Sequence, residues 1–302
     1  MSRRMLYAVG AVAVVVALVI AVVATSRPPT TTVSDRFEVV LLDLETGIET
    51  AILANLSEAN VARFMPDGSI VVSGMIGSTR GLWRTGPSGT PVLLWGETGW
   101  PDPSPDGRRL VWFNGDGIVL FDIQNGTTAT IPKEALSPAL FAIDTTFDPQ
   151  GRRILFTWED HHLAHVPDRD YVATYDLANG TVDVLLETRK QVRGLAFLPD
   201  GDHFVFAGHD GLYLHDIVLN LTLRLTGPAN QAFPQVSGSG DLVVFQSLTR
   251  MDALGRPLYR IHIYQLSTGE TRDVLQREQY GNPHPDITTD GRAIVFIMQP
   301  RL

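Results

Sequence analysis

Short apolar runs alternate with polar turns along most of this chain. The clearest unit is Ser104-Pro105-Asp106-Gly107-Arg108-Arg109 followed by Leu110-Val111-Trp112-Phe113. A run of four to eight β-branched and aromatic residues between turn signals reads as a buried strand. Looser copies follow the turn glycines at 68, 151, 201, 240 and 291, with spacings of about 39 to 51 residues. That period suits four short strands and their turns, the size of one propeller blade. The turn chemistry has a mechanism. Proline presets φ at the first central position, Asp bonds its own backbone, and Gly accepts a positive φ.

A second pattern follows each first one: an apolar run that ends in a polar turn. Examples are Val119-Leu120-Phe121-Asp122-Ile123-Gln124-Asn125-Gly126 and Ala173-Thr174-Tyr175-Asp176-Leu177-Ala178-Asn179-Gly180. These predict a third strand, a turn and a fourth strand. The first copy, at residues 37–50, has no first pattern before it, and the last first pattern, at residues 284–298, has no second after it. Two half-units at opposite ends make one blade, so the arithmetic predicts six. Pairing them closes the ring and removes the free edges that invite aggregation. The expected fold is therefore all-β, a six-bladed β-propeller closed by N- and C-terminal strands, spanning residues 37–302.

On these turns and on the Asp-Leu-x-x-Gly ending, the chain resembles the TolB-like (WD40-like, PD40) β-propeller family. The resemblance covers residues 37–298. It implies the architecture; for function it implies only a range, since such propellers serve as binding platforms, scaffolds and accessory domains of enzymes. The separate α/β domain of TolB itself has no counterpart here, so partnership with peptidoglycan-associated lipoprotein is not carried over.

Met5 to Ala24 is apolar apart from Gly10 and the Tyr7 hydroxyl, preceded by Arg3 and Arg4. At roughly 1.5 Å per residue this run crosses a hydrocarbon core of about 30 Å. The basic excess on its N-terminal side predicts a cytoplasmic stub and signal anchor over residues 1–25, with the propeller outside. A cleaved signal peptide and a secreted chain is the other reading. Residues 26–36, with Pro28, Pro29 and a threonine run, read as a linker.

A net charge of −9 disfavours nucleic acid, which calls for a basic face. There is no cysteine, hence no disulfide and no lipid-modified N-terminus. Neither lysine, Lys133 nor Lys190, follows a glycine, so no phosphate-cradling loop is present. No Gly-x-Ser-x-Gly elbow occurs either. Calcium loops at residues 102–113 and 286–297 lack the last carboxylate, having Phe113 and Ile297 there. No cofactor is expected, with one exception to test. Glu159, Asp160, His161, His162 and His165 cluster in a long hairpin and offer divalent-metal ligands; a partner-contact loop and an uncommitted solvated loop are the competing readings.

Counting back from each turn glycine gives candidate channel residues. Four back, the set is apolar (Phe64, Pro103, Phe147, Phe197, Val236, Ile287) and reads as core. Five and seven back it becomes mixed: Arg63, Asp102, Gln235 and Asp286, with Trp100, Asp144 and His284; Arg193 lies one further out. These are the candidates for a binding site at the channel mouth. The leading expectation is a membrane-anchored, extracytoplasmic, non-catalytic module that binds a protein, peptide or envelope glycan. The alternatives are a channel-mouth hydrolase or lyase, metal-assisted or not, and an accessory domain for a separately encoded peptidase.

Overall fold

The computed structural model describes residues 34–86, 90–136, 142–160, 169–227, 229–275 and 277–300. The predicted anchor and most of the linker lie outside the described residues, as do His161, His162 and His165 and the side chains of Glu159 and Asp160. Among the described residues, no helix is long and apolar enough to cross a membrane.

The chain from Asp35 to Pro300 is one compact unit built of six antiparallel sheets. It opens with β1 (Phe37–Asp43) and β2 (Glu49–Leu56). Blade 1 follows as β3 (Glu58–Phe64), β4 (Ile70–Ile76), β5 (Thr79–Thr85) and β6 (Val92–Trp95). Blade 2 is β7 (Asp102–Pro103), β8 (Arg109–Phe113), β9 (Gly117–Asp122) and β10 (Thr127–Pro132), trailed by the single helical turn α1 (Lys133–Leu136). Blade 3 is β11 (Ala142–Phe147), β12 (Arg153–Asp160), β13 (Arg169–Asp176) and β14 (Val182–Thr188). Blade 4 is β15 (Leu195–Phe197), β16 (His203–Gly208), β17 (Gly211–Asp216) and β18 (Leu221–Arg224). Blade 5 is β19 (Gln231–Val236), β20 (Leu242–Met251), β21 (Pro257–Gln265) and β22 (Glu270–Asp273), with an added β23 (Gln279–Tyr280) on β21. β24 (Asp286–Ile287) and β25 (Ala293–Met298) complete blade 6 with β1 and β2, in the order β2-β1-β25-β24.

The closure is the one the half-units predict. β1 and β25 pair antiparallel, with Val39 opposite Ile297 and Leu42 opposite Ile294. All four of these side chains are buried: Val39 and Ile297 fill the core shared with blade 1, and Leu42 and Ile294 the core shared with blade 5.

The second strand of each blade explains the apolar runs. In β8, Leu110, Val111 and Trp112 are consecutive and all buried. A strand covered on both faces by neighbouring blades has no solvent side, so its residues do not alternate. Val111 packs toward blade 3 with Ile154 and Phe156, while Leu110 and Trp112 pack toward blade 1 with Val71 and Leu82.

The six turns share one geometry. The glycine N–H donates to the carbonyl three residues back, at 2.8–3.0 Å for Gly107, Gly151, Gly201 and Gly291 among others. In four turns an Asp carboxylate caps the following backbone: Asp67 to Ser69, Asp106 to Arg108, Asp200 to Asp202 and Asp290 to Arg292. These bonds hold the Asp67, Asp106 and Asp290 carboxyls below their ordinary range, a side-chain hydroxyl bond being the first cause in each. Of the acidic residues that suggested calcium loops, Asp106 and Asp290 are thus satisfied by their own turns.

Candidate functional site: the central channel

The first strands of the blades, β3, β7, β11, β15, β19 and β24, face one another around the ring centre. Each runs toward the turn face. A residue's count back from the turn glycine therefore sets its depth in the channel.

Two residues back stand Pro66, Pro105, Pro149, Pro199, Gly238 and Thr289, which rim a cavity of about 470 Å³ on the turn face. The set four back supplies its walls through Phe147, Phe197, Val236 and Ile287. The set is core as the sequence predicts, with Phe147, Phe197 and Ile287 buried, and it borders the cavity as well. The rings wedge between blades: the Arg109 guanidinium lies 5.4 Å from the Phe147 ring centre and that of Arg153 lies 5.9 Å from Phe197. One side of each ring is packed while the other borders the open cavity.

Five back, the channel turns polar. Asp102, Thr146 and Gln235 form the floor of the mouth and also line a second, inner cavity of about 20 Å³. That volume suits a single water molecule and is far too small for a sugar ring or peptide. Arg63 stands at the centre of this layer, only 8 % exposed. Its Nε is 3.9 Å from Asp102 Oδ1, and its guanidinium donates to the backbone carbonyls of Ala62 and His284, both at 3.3 Å. Asp102 also accepts from the Thr146 hydroxyl at 2.7 Å. Asp286 accepts from the Phe64 N–H at 2.7 Å, tying blade 6 to blade 1 inside the channel.

Three carboxylates share one guanidinium here, and the electrostatics record the shortfall. Burial pushes Asp102 and Asp144 up to about 6 each, against the opposing pull of Arg63. Asp286 is raised for the same reason. One oxygen of Asp144 is buried with no hydrogen-bond partner. A carboxyl that lacks enough compensating donors favours its neutral form.

Seven back, the inner end is closed by side chains that break the repeat. Trp100, Phe233 and His284 pack ring to ring, with centroids 5.3 Å apart for Trp100–Phe233, 4.6 Å for Trp100–His284 and 4.0 Å for Phe233–His284. Phe233 and His284 both adopt left-handed backbone, with φ of 55° and 43°. Gly194, the same position in blade 4, has φ 98°, and a Cβ there would sit 2.6 Å from the Phe233 Cα. Burial, and then Arg63, hold His284 well below the ordinary imidazole range, so its ring is neutral.

Most of the expected site residues thus converge. Arg63, Trp100, Asp102, Asp144 and Gln235 line the inner cavity, with Asp286 and His284 bonded or packed beside them. Arg193 does not join them. It is exposed, and its guanidinium donates to Asn230 at 2.9 Å. Thr146, Ala196 and Phe233 share the channel registers and escaped the sequence reading, because a threonine, an alanine and a phenylalanine carry no chemical flag. Among the described residues, no three His, Asp or Glu side chains are placed to hold a metal ion.

No protein-family profile matches the sequence, and no curated protein does. Solved structures do match. A putative TolB from Agrobacterium tumefaciens superposes with a TM-score of 0.70 at 17% identity, over 88% of this chain and 99% of that one. TolB from Acinetobacter baumannii gives 0.56 at 18% identity, over 88% of this chain and 64% of that one. An oligogalacturonate lyase in complex with manganese gives 0.56 at 14% identity, over 86% and 77%. The fold is that of TolB-like six-bladed propellers; at these identities the likeness speaks for the fold alone.

Proposed function

We propose, from this TolB-like propeller fold, that the protein is a non-catalytic binding module that engages a protein, peptide or envelope glycan at its turn-face mouth. The observation that carries this reading is the cavity of about 470 Å³, open at a proline rim, walled by apolar side chains and floored by Asp102, Thr146 and Gln235. Apolar walls with a few convergent polar groups are the usual composition of a ligand site. Among the described residues, none is hydrogen-bonded to the Gln235 side-chain amide, which lines both cavities and so can serve a ligand. The apolar N-terminal run supports placing the module on the outer side of a membrane, held by a retained anchor.

The test is an envelope pull-down with the full-length chain and with a Pro199→Arg/Thr289→Arg variant. Both positions are exposed on the rim, so the fold should tolerate the change. A stoichiometric partner retained by the native chain and reduced at least about tenfold by the variant supports the reading. A partner held equally by both sinks the mouth as the binding site. Recovery of the chain in the soluble cytoplasmic fraction removes the anchored placement.

A second reading, general acid–base catalysis at the mouth, has one observation in its favour. Asp102 faces both cavities with its carboxyl raised to about 6, near the range such chemistry uses. It is distinguished by turnover that Asp102→Asn abolishes.

A further inference from the structure

Blade 5 carries a separate polar constellation away from the channel. Ser247 lies on β20, Arg260 and His262 on β21, and Asp273 on β22. The ladders set Ser247 opposite Arg260 and His262 opposite Asp273. Directly opposed residues share a sheet face, as do positions two apart on one strand. All four side chains therefore emerge on one face of the blade, the face whose apolar part packs against blade 4 through Phe245.

Their contacts form a relay. Ser247 Oγ is 2.6 Å from His262 Nε2, and His262 Nδ1 is 2.8 Å from Asp273 Oδ1. Asp273 Oδ2 accepts from the Arg260 guanidinium at 2.6 Å. The imidazole is fixed from its flank by stacking on Phe245, at 5.2 Å and 28°. An Asp on Nδ1 sets the tautomer that leaves the Nε2 lone pair facing the serine, the arrangement an activated nucleophile needs. Burial lowers the His262 pKa against the opposing pull of Asp273, which favours the neutral imidazole that a general base requires.

A network serving stability alone would satisfy its donors. This one leaves the Arg260 Nε buried with no hydrogen-bond partner. An unpaired cationic donor beside a serine–imidazole pair is what a developing oxyanion would complete.

We propose that Ser247, His262 and Asp273 form a nucleophilic acyl-transfer site on the flank of blade 5, with Arg260 as oxyanion donor and small carboxylic esters as the substrate class. Ser247 is 8 % exposed, which restricts the acyl group to a short one. Ser247 Oγ bonds to the carbonyl carbon as its proton passes to His262 Nε2. The carbonyl electron pair moves to the oxygen and is held by Arg260. Collapse breaks the carbon–oxygen bond to the leaving alcohol, which takes the proton back from Nε2. Water then attacks the acyl-serine, giving its proton to His262, and the acid leaves as Ser247 is reprotonated. The site stands independently of any ligand at the channel mouth.

Methanesulfonyl fluoride, a reagent small enough for a nearly buried serine, applied to the full-length chain tests this. The expected result is one methanesulfonyl adduct per chain, mapped to Ser247 by peptide mass, with fluoride released. His262→Gln should slow labelling by about 10² or more, the usual contribution of a general base, and Asp273→Asn should slow it by roughly 10-fold or more through loss of the tautomer. A folded native chain that gains no adduct at Ser247 overturns the proposal, whatever the variants do. An adduct that forms as fast in a folded His262→Gln variant overturns it equally, since a merely reactive serine needs no imidazole.

Discussion

The two ends of the channel are built on opposite rules. The mouth follows the repeat: proline stands at the same rim position in four blades, and the wall residues are apolar in every blade. The inner end departs from it. Val61, Trp100, Asp144, Gly194, Phe233 and His284 occupy one register and share no chemistry. A repeated residue type gives an open ring, because identical side chains stand off equally from the axis. Dissimilar ones can meet across it: Trp100 of blade 2 reaches Phe233 of blade 5 and His284 of blade 6. The Gly194–Phe233 approach shows the trade: blade 5 leans its backbone onto the one position without a Cβ.

The largest break in this comparison should come from Arg63, which joins the two ends. Arg63→Ala leaves three buried carboxyls without their cation, and loss of one partner of a buried charge cluster costs about 3–5 kcal/mol. Chemical denaturation should show the full penalty at pH 8 and a smaller one at pH 5, where Asp102 and Asp144 are largely protonated. An equal penalty at both values would mean Arg63 contributes packing rather than charge.

Next is Gly194→Ala. It meets left-handed strain and a clash with the Phe233 backbone, together about 2–4 kcal/mol. Gly115→Ala serves as the control. It has φ 94° but open space around it, so only the strain remains, about 1 kcal/mol or a little more. Similar losses at the two sites would show that the plug does not press on blade 4.

The pH dependence sharpens the charge side. Asp102 and Asp144 have folded pKa values raised from 3.8 to about 6. The folded state therefore binds more protons than the unfolded chain between those values, and stability falls as pH rises from about 4 to 6. The drop should be on the order of 2 kcal/mol for each of the two acids, and Asp144→Asn should remove roughly half of it. The turn acids work the other way: Asp67, Asp106 and Asp290 are lowered, and their contribution is lost as pH falls through the carboxylate range. Thermal melts from pH 3 to 8 should thus peak between the two regimes. A curve flat between pH 4 and 6.5 would refute the uncompensated channel acids.

The smallest effect belongs to a single repeat unit. Asp106→Ala removes one hydroxyl bond and one backbone bond from an exposed turn, about 1 kcal/mol. Mouth volume and ligand affinity should not change, since the other turns hold the ring.

Much of this was open to a reading of the chain. The half-units at residues 37–50 and 284–298 predicted the β1–β25 pairing because a propeller strand order admits one partner for each. Counting from the turn glycines reached Arg63, Asp102, Asp144, Gln235, His284 and Asp286, because a shared register in equivalent strands means a shared depth. The same count failed for Arg193, one position further out, whose exposed guanidinium donates to Asn230. It also missed the double use of Phe147 and Phe197, since hydrophobicity does not say whether the second face of a ring meets protein or an open cavity.

The order of strands, the number of blades and the way they close were set by local chemistry that repeats: turn residues that fix φ and apolar runs that tolerate no solvent side. Folding alone decided which unlike residues meet. The sharing of one guanidinium by three carboxyls and the plugging of the inner end join positions far apart in the chain, and the alignment of Ser247, His262 and Asp273 joins three successive strands of one blade. A linear pattern carries the period of each strand; the distance between side chains on different strands exists only once the sheets are paired and the ring has closed.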